Sequence, residues 1–214
     1  MAGRITYYGG IVTQGLVLAL DAAKRDSYAG TGTAWNDISG NRNNGALING
    51  PTFNSSNGGS IVFDGVDDYT SVSPNILSVN TVCGWFRSTS TSGFRRLWQW
   101  GINEFSAYLN SGTYDLRIIY KQNDSPTGYS FSANTWTNVA ATYNGTTLNV
   151  YIAGTQIFSS TRLPASSNNQ ILIGSTIGGT QNWNGNISQT LVYDRALSAT
   201  EVLQNYNATK GRYL

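Results

Sequence analysis

A chain of 214 residues with no histidine and one cysteine, Cys83, cannot assemble a Cys/His zinc site, a Ser-His-Asp or Cys-His nucleophile pair, or an intrachain disulfide. Charged residues make up only 11% of the chain, and its formal net charge of +2 comes from scattered basic residues, not the basic stripe that a nucleic-acid backbone requires. Two Glu, three Lys and one Met stand against abundant Thr, Ser, Asn, Gly, Tyr and Trp, which predicts an all-β protein of strands joined by tight turns.

The opening segment "MAGRITYYGGIVTQ" (1–14) has no apolar core of the kind found in secretory signals, so the chain is expected to be made in a cytoplasm and not exported. Too short to fold alone, it is read either as an assembly arm in which Tyr7 and Tyr8 pack on a neighbour's sheet edge, or as a frayed terminus. No stretch approaches the roughly 18 apolar residues that cross a bilayer, so no membrane partner is expected.

From residue 15 onward the chain reads as one domain, 15–214. "GLVLALD" (15–21) is the first predicted strand. "SIVFDGVDDYTSV" (60–72) follows, alternating like two strands and carrying three of only eleven acidic residues, Asp64, Asp67 and Asp68. Asp64-Gly65 is read as the reversal between them. "TVCGWFRS" (81–88) places Cys83 among apolar neighbours as a small core residue. In "RRLWQWG" (95–101), Trp98 and Trp100 share one face of a strand and Leu97 and Gln99 the other. "FSAYLN" (105–110) and "YDLRIIYK" (114–121) are further strands.

"WTNVAATYNGTTLNVYIAGTQIF" (136–158) predicts a three-stranded meander with reversals at Asn144-Gly145 and Ala153-Gly154. Asn-Gly, the strongest short hairpin signal, also occurs at 44–45, 49–50, 57–58 and 184–185. Asn-x-Ser/Thr triplets, among them those beginning at Asn54, Asn144, Asn186 and Asn207, follow from an Asn- and Thr-rich composition. "NQILIGST" (169–176) and "ISQTLVYD" (187–194) close the strand set. One helix is signalled at about 198–209, with Ser198 as N-cap, Glu201 completing a capping box, and Val202, Leu203 and Tyr206 as its apolar stripe. The whole predicts a two-sheet antiparallel sandwich with one short C-terminal helix.

In order, "SIVFDGVDDYTSV", "TVCGWF", "NTWTNVAATYNGTTLNVYIAG", "NQILIGS" and "WNGNISQTLVYDRALSATEV" resemble the laminin-G-like (concanavalin A-like, pentraxin-like) jelly rolls, over nearly the whole chain. The resemblance implies a jelly-roll sandwich in which Trp85 and Trp136 are core. In pentraxin-like relatives the segment matching 66–69 supplies calcium ligands, which implies Asp67 and Asp68 as metal ligands here. The partnering loop of those relatives is acidic, whereas residues 175–185 carry no carboxylate, so the implied cofactor is weak Ca²⁺ or none. Trp183 lies in that loop without alternating context; it is expected to be partly exposed and, with Gln181, Asn182 and Asn184, to contact a ligand or partner.

The opening segment "YYGGIVTQGLVLALDAAKRDSYAGTGTAWNDISGNRNNGALINGP" further resembles modules from tailed-bacteriophage virion and fibre proteins. The glucanases of the superfamily carry Glu-x-Asp-x-x-Glu on one strand, and no such string occurs; the only glutamates are Glu104 and Glu201. No catalytic residue is therefore assigned. The expected function is a non-enzymatic virion structural or adhesion module (capsid decoration or tail fibre), oligomeric within an assembly. Its expected partners are other virion proteins and a host-surface glycan, without nucleic acid. A free-standing lectin, assisted by Ca²⁺, is the alternative, and a glycosidase ranks last.

Overall fold

The computed structural model describes residues 10–72, 76, 78–90, 92–101, 105–161 and 170–214. Tyr7 and Tyr8 of the expected arm, and Glu104, lie outside the described residues. In chain order the strands are β1 (Leu16–Asp21), β2 (Ala34–Trp35), β3 (Gly45–Ile48), β4 (Thr52–Asn54), β5 (Ser60–Asp64), β6 (Tyr69–Val72), β7 (Thr81–Ser88) and β8 (Arg95–Trp100). They continue as β9 (Phe105–Leu109), β10 (Asp115–Tyr120), β11 (Asn123–Ser130), β12 (Trp136–Tyr143), β13 (Thr147–Ile152), β14 (Thr155–Thr161), β15 (Ile171–Ile173) and β16 (Asn184–Tyr193), before helix α1 (Ala199–Thr209).

All pairings are antiparallel and form two sheets. The first runs β14-β13-β12-β7-β16-β5-β4, with β1 also on β16; the second runs β11-β10-β9-β8-β15-β6-β3-β2. Strand β16 organises the first sheet. Its whole length pairs with β7 on one flank, while on the other Asn184–Ile187 pair with β5 and Gln189–Tyr193 with β1. The changeover falls at a bulge around Ser188, whose carbonyl accepts Ala22 N (2.9 Å) and whose hydroxyl donates to Gly59 O (2.6 Å). A bulge is what lets one strand change partners without leaving backbone groups unpaired.

Between the sheets sits an aromatic-rich core that includes Trp35, Phe63, Phe86, Trp98, Phe105 and Trp183 with Leu18, Val139 and Val192. A second, smaller apolar layer joins the outer face of the first sheet to α1 through Val12, Ala19, Cys83, Ala140, Tyr151, Leu191, Tyr193, Leu197 and Val202. Strand β7 is thus buried on both faces from Thr81 to Phe86, which is why that stretch reads as a continuous apolar run instead of alternating. Burial pushes the Cys83 thiol up to about 12, so it is a packing residue.

Several turn signals work differently from expectation. Asn57-Gly58 and Asn144-Gly145 join paired strands, but Asn49-Gly50 leads from β3 in one sheet to β4 in the other, and Asp64-Gly65 likewise separates β5 and β6, which do not pair. The β10–β11 hairpin turns on Lys121 and Gln122, both at positive φ (48° and 61°), with no Asn or Gly to announce it. Strand β11 contains Pro126, tolerated because β11 is a sheet edge. A shift in register between Arg96 and Trp98 brings Leu97 into the core beside Trp98 and Trp100, not onto the opposite face.

Asn184-Gly185 opens β16. Gly185 has φ +135°, and a Cβ there would stand 2.1 Å from Arg87 O. Gly185→Ala is expected to cost about 1–3 kcal/mol, read as a lower midpoint in urea unfolding, because the clash is with backbone that cannot rotate away.

Helix α1 starts as expected: Glu201 N donates to Ser198 Oγ (3.3 Å) and Ser198 N to Glu201 Oε2 (2.9 Å). Its buried face is Val202, Asn205 and Thr209; Leu203, expected in the stripe, is 43% exposed. The helix rests on polar and aromatic groups of the sheet, so amide and hydroxyl side chains suit the contact. Asn205 accepts from Val12 N (2.8 Å) and donates to Tyr193 Oη (3.0 Å), and Thr209 Oγ1 accepts from Trp85 Nε1 (2.8 Å).

Arg195 anchors the same cap, its Nη2 lying 2.5 Å from Glu201 Oε1. This hydrogen bond, helped by those from Ser198, lowers Glu201 to about 2 from an ordinary 4.5. A depressed carboxylate stabilises the fold above its unfolded pKa and loses that contribution as pH falls towards the folded value. Unfolding at a series of pH values between 4.5 and 2 should therefore show a steeper loss in the wild type than in Glu201→Gln.

Candidate functional site

The loops expected to form a site do converge. Residues 64–68 link β5 to β6, and residues 174–183 link β15 to β16, at one end of the sandwich. Asp64 caps its own turn, its Oδ1 accepting Val66 N at 2.8 Å, and Asp68 Oδ2 accepts Asp64 N at 3.0 Å. One carboxylate oxygen from each of Asp64, Asp67 and Asp68 lies within 4.8 Å of the others; Asp64 and Asp67 are exposed and Asp68 is buried. Burial first, and then the charges of Asp64 and Asp67, push Asp68 upward from its ordinary pKa, against the hydrogen bond from Asp64 N.

The facing loop braces this turn and offers no acidic partner. Asn182 Nδ2 donates to Val66 O, and its Oδ1 accepts Ser175 Oγ (2.6 Å). Arg95 Nη1 donates to Gly65 O (3.2 Å) and Asn182 O (2.9 Å), and Arg96 Nη2 to Gln181 Oε1 (2.7 Å). Asn184 Oδ1 accepts Thr89 Oγ1. Asn182 therefore ties the two loops together, while Gln181 and Asn184 spend side-chain groups on β8 and on Thr89.

Trp183 is buried, not partly exposed. Its backbone N–H donates to Gly174 O (2.7 Å), closing the loop, and its indole enters the core edge-on to Phe86 (5.8 Å, 72°) and Phe131 (6.4 Å, 81°). Such an indole has no face left for a sugar. The signal was present in the sequence: Trp183 and Ile187 are in period-two phase, and both point into the same core.

Trp136 departs from expectation in the other direction. It shares the outer face of β12 with Asn138 and Ala140, while Thr137, Val139 and Ala141 alternate with it, and it is half-buried instead of core. Trp85 is buried as expected, but under the C-terminal segment, stacked on Tyr206 (5.7 Å) and Tyr213 (4.1 Å).

The aspartate cluster fits a hard cation in part. Three carboxylates supply oxygen donors, but Ca²⁺ takes about six to eight oxygens, Val66 O and Gly65 O already accept hydrogen bonds, and the Arg95 guanidinium stands beside the turn. Were Ca²⁺ held there, so sparse a donor set would put its Kd at about 10⁻⁴–10⁻³ M. Ca²⁺ at ten times that Kd is expected to raise the wild-type melting temperature by about 3–6 °C and to leave an Asp67→Asn, Asp68→Asn double variant unmoved.

Residues 63–203 match the model of the laminin-G family described as the concanavalin A-like lectin/glucanases superfamily. Among solved structures, domain 4 of AbnA, an extracellular arabinanase from Geobacillus stearothermophilus in complex with arabinotriose, superposes with TM-score 0.72 at 17% identity, covering 89% of this chain and 98% of that one. The binding domain of Paraclostridial Mosquitocidal Protein 1 gives TM-score 0.72 at 20% identity, over 92% of this chain and 52% of the other. The binding domain of botulinum neurotoxin DC in complex with SialylT gives 0.71 at 15%, over 92% and 52%. The chain thus spans the arabinanase domain and about half of each toxin binding domain. No curated protein sequence matches it.

Proposed function

Because the chain belongs to the concanavalin A-like lectin/glucanase superfamily, we propose that it is a non-enzymatic glycan-binding module, carried on the particle of a tailed bacteriophage and seated there against other virion proteins. Family membership carries the reading. Two proteins sharing the fold were solved with arabinotriose and with SialylT, which supports a sugar as the class of ligand. The resemblance of the segment from Tyr7 to Pro51 to phage modules supports the virion setting.

Hydrolysis fits the residues poorly. A glycosidase needs an acid that is still protonated near neutral pH and a second carboxylate across the scissile bond. Glu201 has the opposite character, held to about 2 by Arg195 and fixed in its capping box.

A glycan array probed with the purified chain is expected to give signal, and mass spectrometry of gradient-purified particles is expected to detect the chain. Silence on the array with and without chelator removes the glycan reading, and a chain found in lysate but never in particles removes the virion reading. The aspartate cluster favours one other reading, a free-standing Ca²⁺-assisted lectin. Array signal that disappears in chelator, from a chain absent from particles, would select it.

A further inference from the structure

The outer face of the first sheet is only partly covered. Helix α1 and the segment after it lie over Cys83 and Trp85 of β7, and one pleat further along the same face emerges as a polar cleft of about 390 Å³. Its floor is a single cross-strand row: Trp136 of β12 is paired with Arg87 of β7, and Arg87 with Asn186 of β16. Directly opposed residues on neighbouring strands point the same way, so an indole, a guanidinium and an amide stand side by side by construction of the sheet. Asn54, Ser56, Asn57, Ser60 and Asn134 form the rest of the wall.

These groups are fixed before any ligand arrives. Arg87 donates to Asn134 O (Nε, 3.1 Å), Asn134 Oδ1 (Nη2, 3.0 Å) and Asn186 Oδ1 (Nη1, 3.1 Å), and Asn186 Nδ2 donates to Ser60 Oγ (3.0 Å). Trp136 Nε1 donates to Asn57 Oδ1 (3.2 Å), and the ring leans on Tyr213 with centroids 4.9 Å apart. Tyr213 in turn stacks on Trp85 at 4.1 Å.

The charge of the cleft is unbalanced. None of its lining residues is acidic, and the ion pairs among the described residues are Arg117 with Asp124, Arg195 with Glu201 and Arg212 with Asp21, so Arg87 has no carboxylate of its own. Among the described residues three of its five guanidinium N–H groups point at neutral oxygens, and two have no partner there. A planar cation beside an indole edge, ringed by amides and a hydroxyl, matches a pyranose that carries a carboxylate: its C–H face packs on the ring, its hydroxyls meet the amides, and its carboxylate meets the guanidinium.

We infer that this Trp136–Arg87–Asn186 cleft binds a carboxylated sugar residue of a glycan. The inference rests on the reading of the chain as a glycan-binding module and names the place and the ligand chemistry within it. The site is separate from the Asp64–Asp68 turn and does not use a metal.

Titration of the isotope-labelled chain with methyl glucuronide, methyl N-acetylneuraminide and neutral methyl glucoside, followed by NMR, tests it. Both acids represent the same chemistry, and their relative affinities decide between a uronic and a sialic type. Expected are shifts of the Trp136 Nε1–H and Arg87 Nε–H resonances with an acidic glycoside, a preference for acid over the neutral glycoside that weakens with salt, and a Kd raised about tenfold by Trp136→Ala. Arg87→Gln should bring the acid-to-neutral preference to about one, while Arg87→Lys keeps part of it.

Shift mapping on the wild type needs no variant to fold, so it stands alone if a substitution destabilises the sheet. Equal binding of neutral and acidic glycosides, or shifts confined to residues 64–68 and 175–184, would overturn the inference and leave the glycan-binding reading intact. No response to these glycosides, together with a silent glycan array, would overturn both.

Discussion

Strand β16 has three partners, and the architecture follows from how they are shared. Pairing with β7 along one flank commits that side completely, so β5 and β1 must divide the other. The division demands an irregularity, and Ser188 supplies it, fully buried and hydrogen-bonded to Gly59 and Ala22, with Tyr213 Oη also lying 2.7 Å from its hydroxyl. Residues from the start, the middle and the end of the chain thus meet at one hydroxyl and one carbonyl. Replacing that hydroxyl would leave Gly59 O without its donor and Tyr213 Oη without its acceptor, a heavier loss than that of a single exposed contact.

The same strand sets the layering. Its inner face contributes Ile187 and Val192 to the core between the sheets, and its outer face contributes Leu191 and Tyr193 to the layer beneath α1. The outer layer is too small to be purely apolar, and amide and hydroxyl groups of Asn205 and Thr209 fill it by satisfying Val12 N, Tyr193 Oη and Trp85 Nε1. Where the C-terminal cover stops, polar side chains on the same face no longer need burial partners within the chain. Arg87, Asn186 and half-buried Trp136 occupy that margin.

Much of this was legible in the residues. The sheet-forming composition, the Asn144-Gly145 and Ala153-Gly154 reversals and the Ser198/Glu201 box each rest on a local rule that the tertiary structure leaves alone. Local rules failed where a neighbour from far along the chain decided the outcome. Gly185 looks like half of an Asn-Gly turn but is required by the approach of Arg87 O, and Lys121-Gln122 makes a tight turn because β10 and β11 pair on either side of it. Trp183 and Trp136 exchanged their expected environments. Loop context made one look exposed and family position made the other look buried, yet strand phase, 183 with 187 and 136 with 138, decides both. The aspartate cluster could be seen from spacing alone, whereas the braces opposite it, Asn182 and Arg95, could not, since their partners lie in another loop.

The joining of β1 to the second half of β16 has a consequence in time. Tyr193 Oη donates to the carbonyl of Val12, 181 residues away, and among the described residues β1 pairs with β16 alone. During synthesis the first strand must wait, unpaired, until almost the last strand has been made. Closure of that long loop is the slow kind of step, typical of sheets built from distant segments. Until it is complete, the edge of β1 is open to pairing with another chain, so the interval between making residue 21 and residue 193 is when this molecule is most exposed to misassembly.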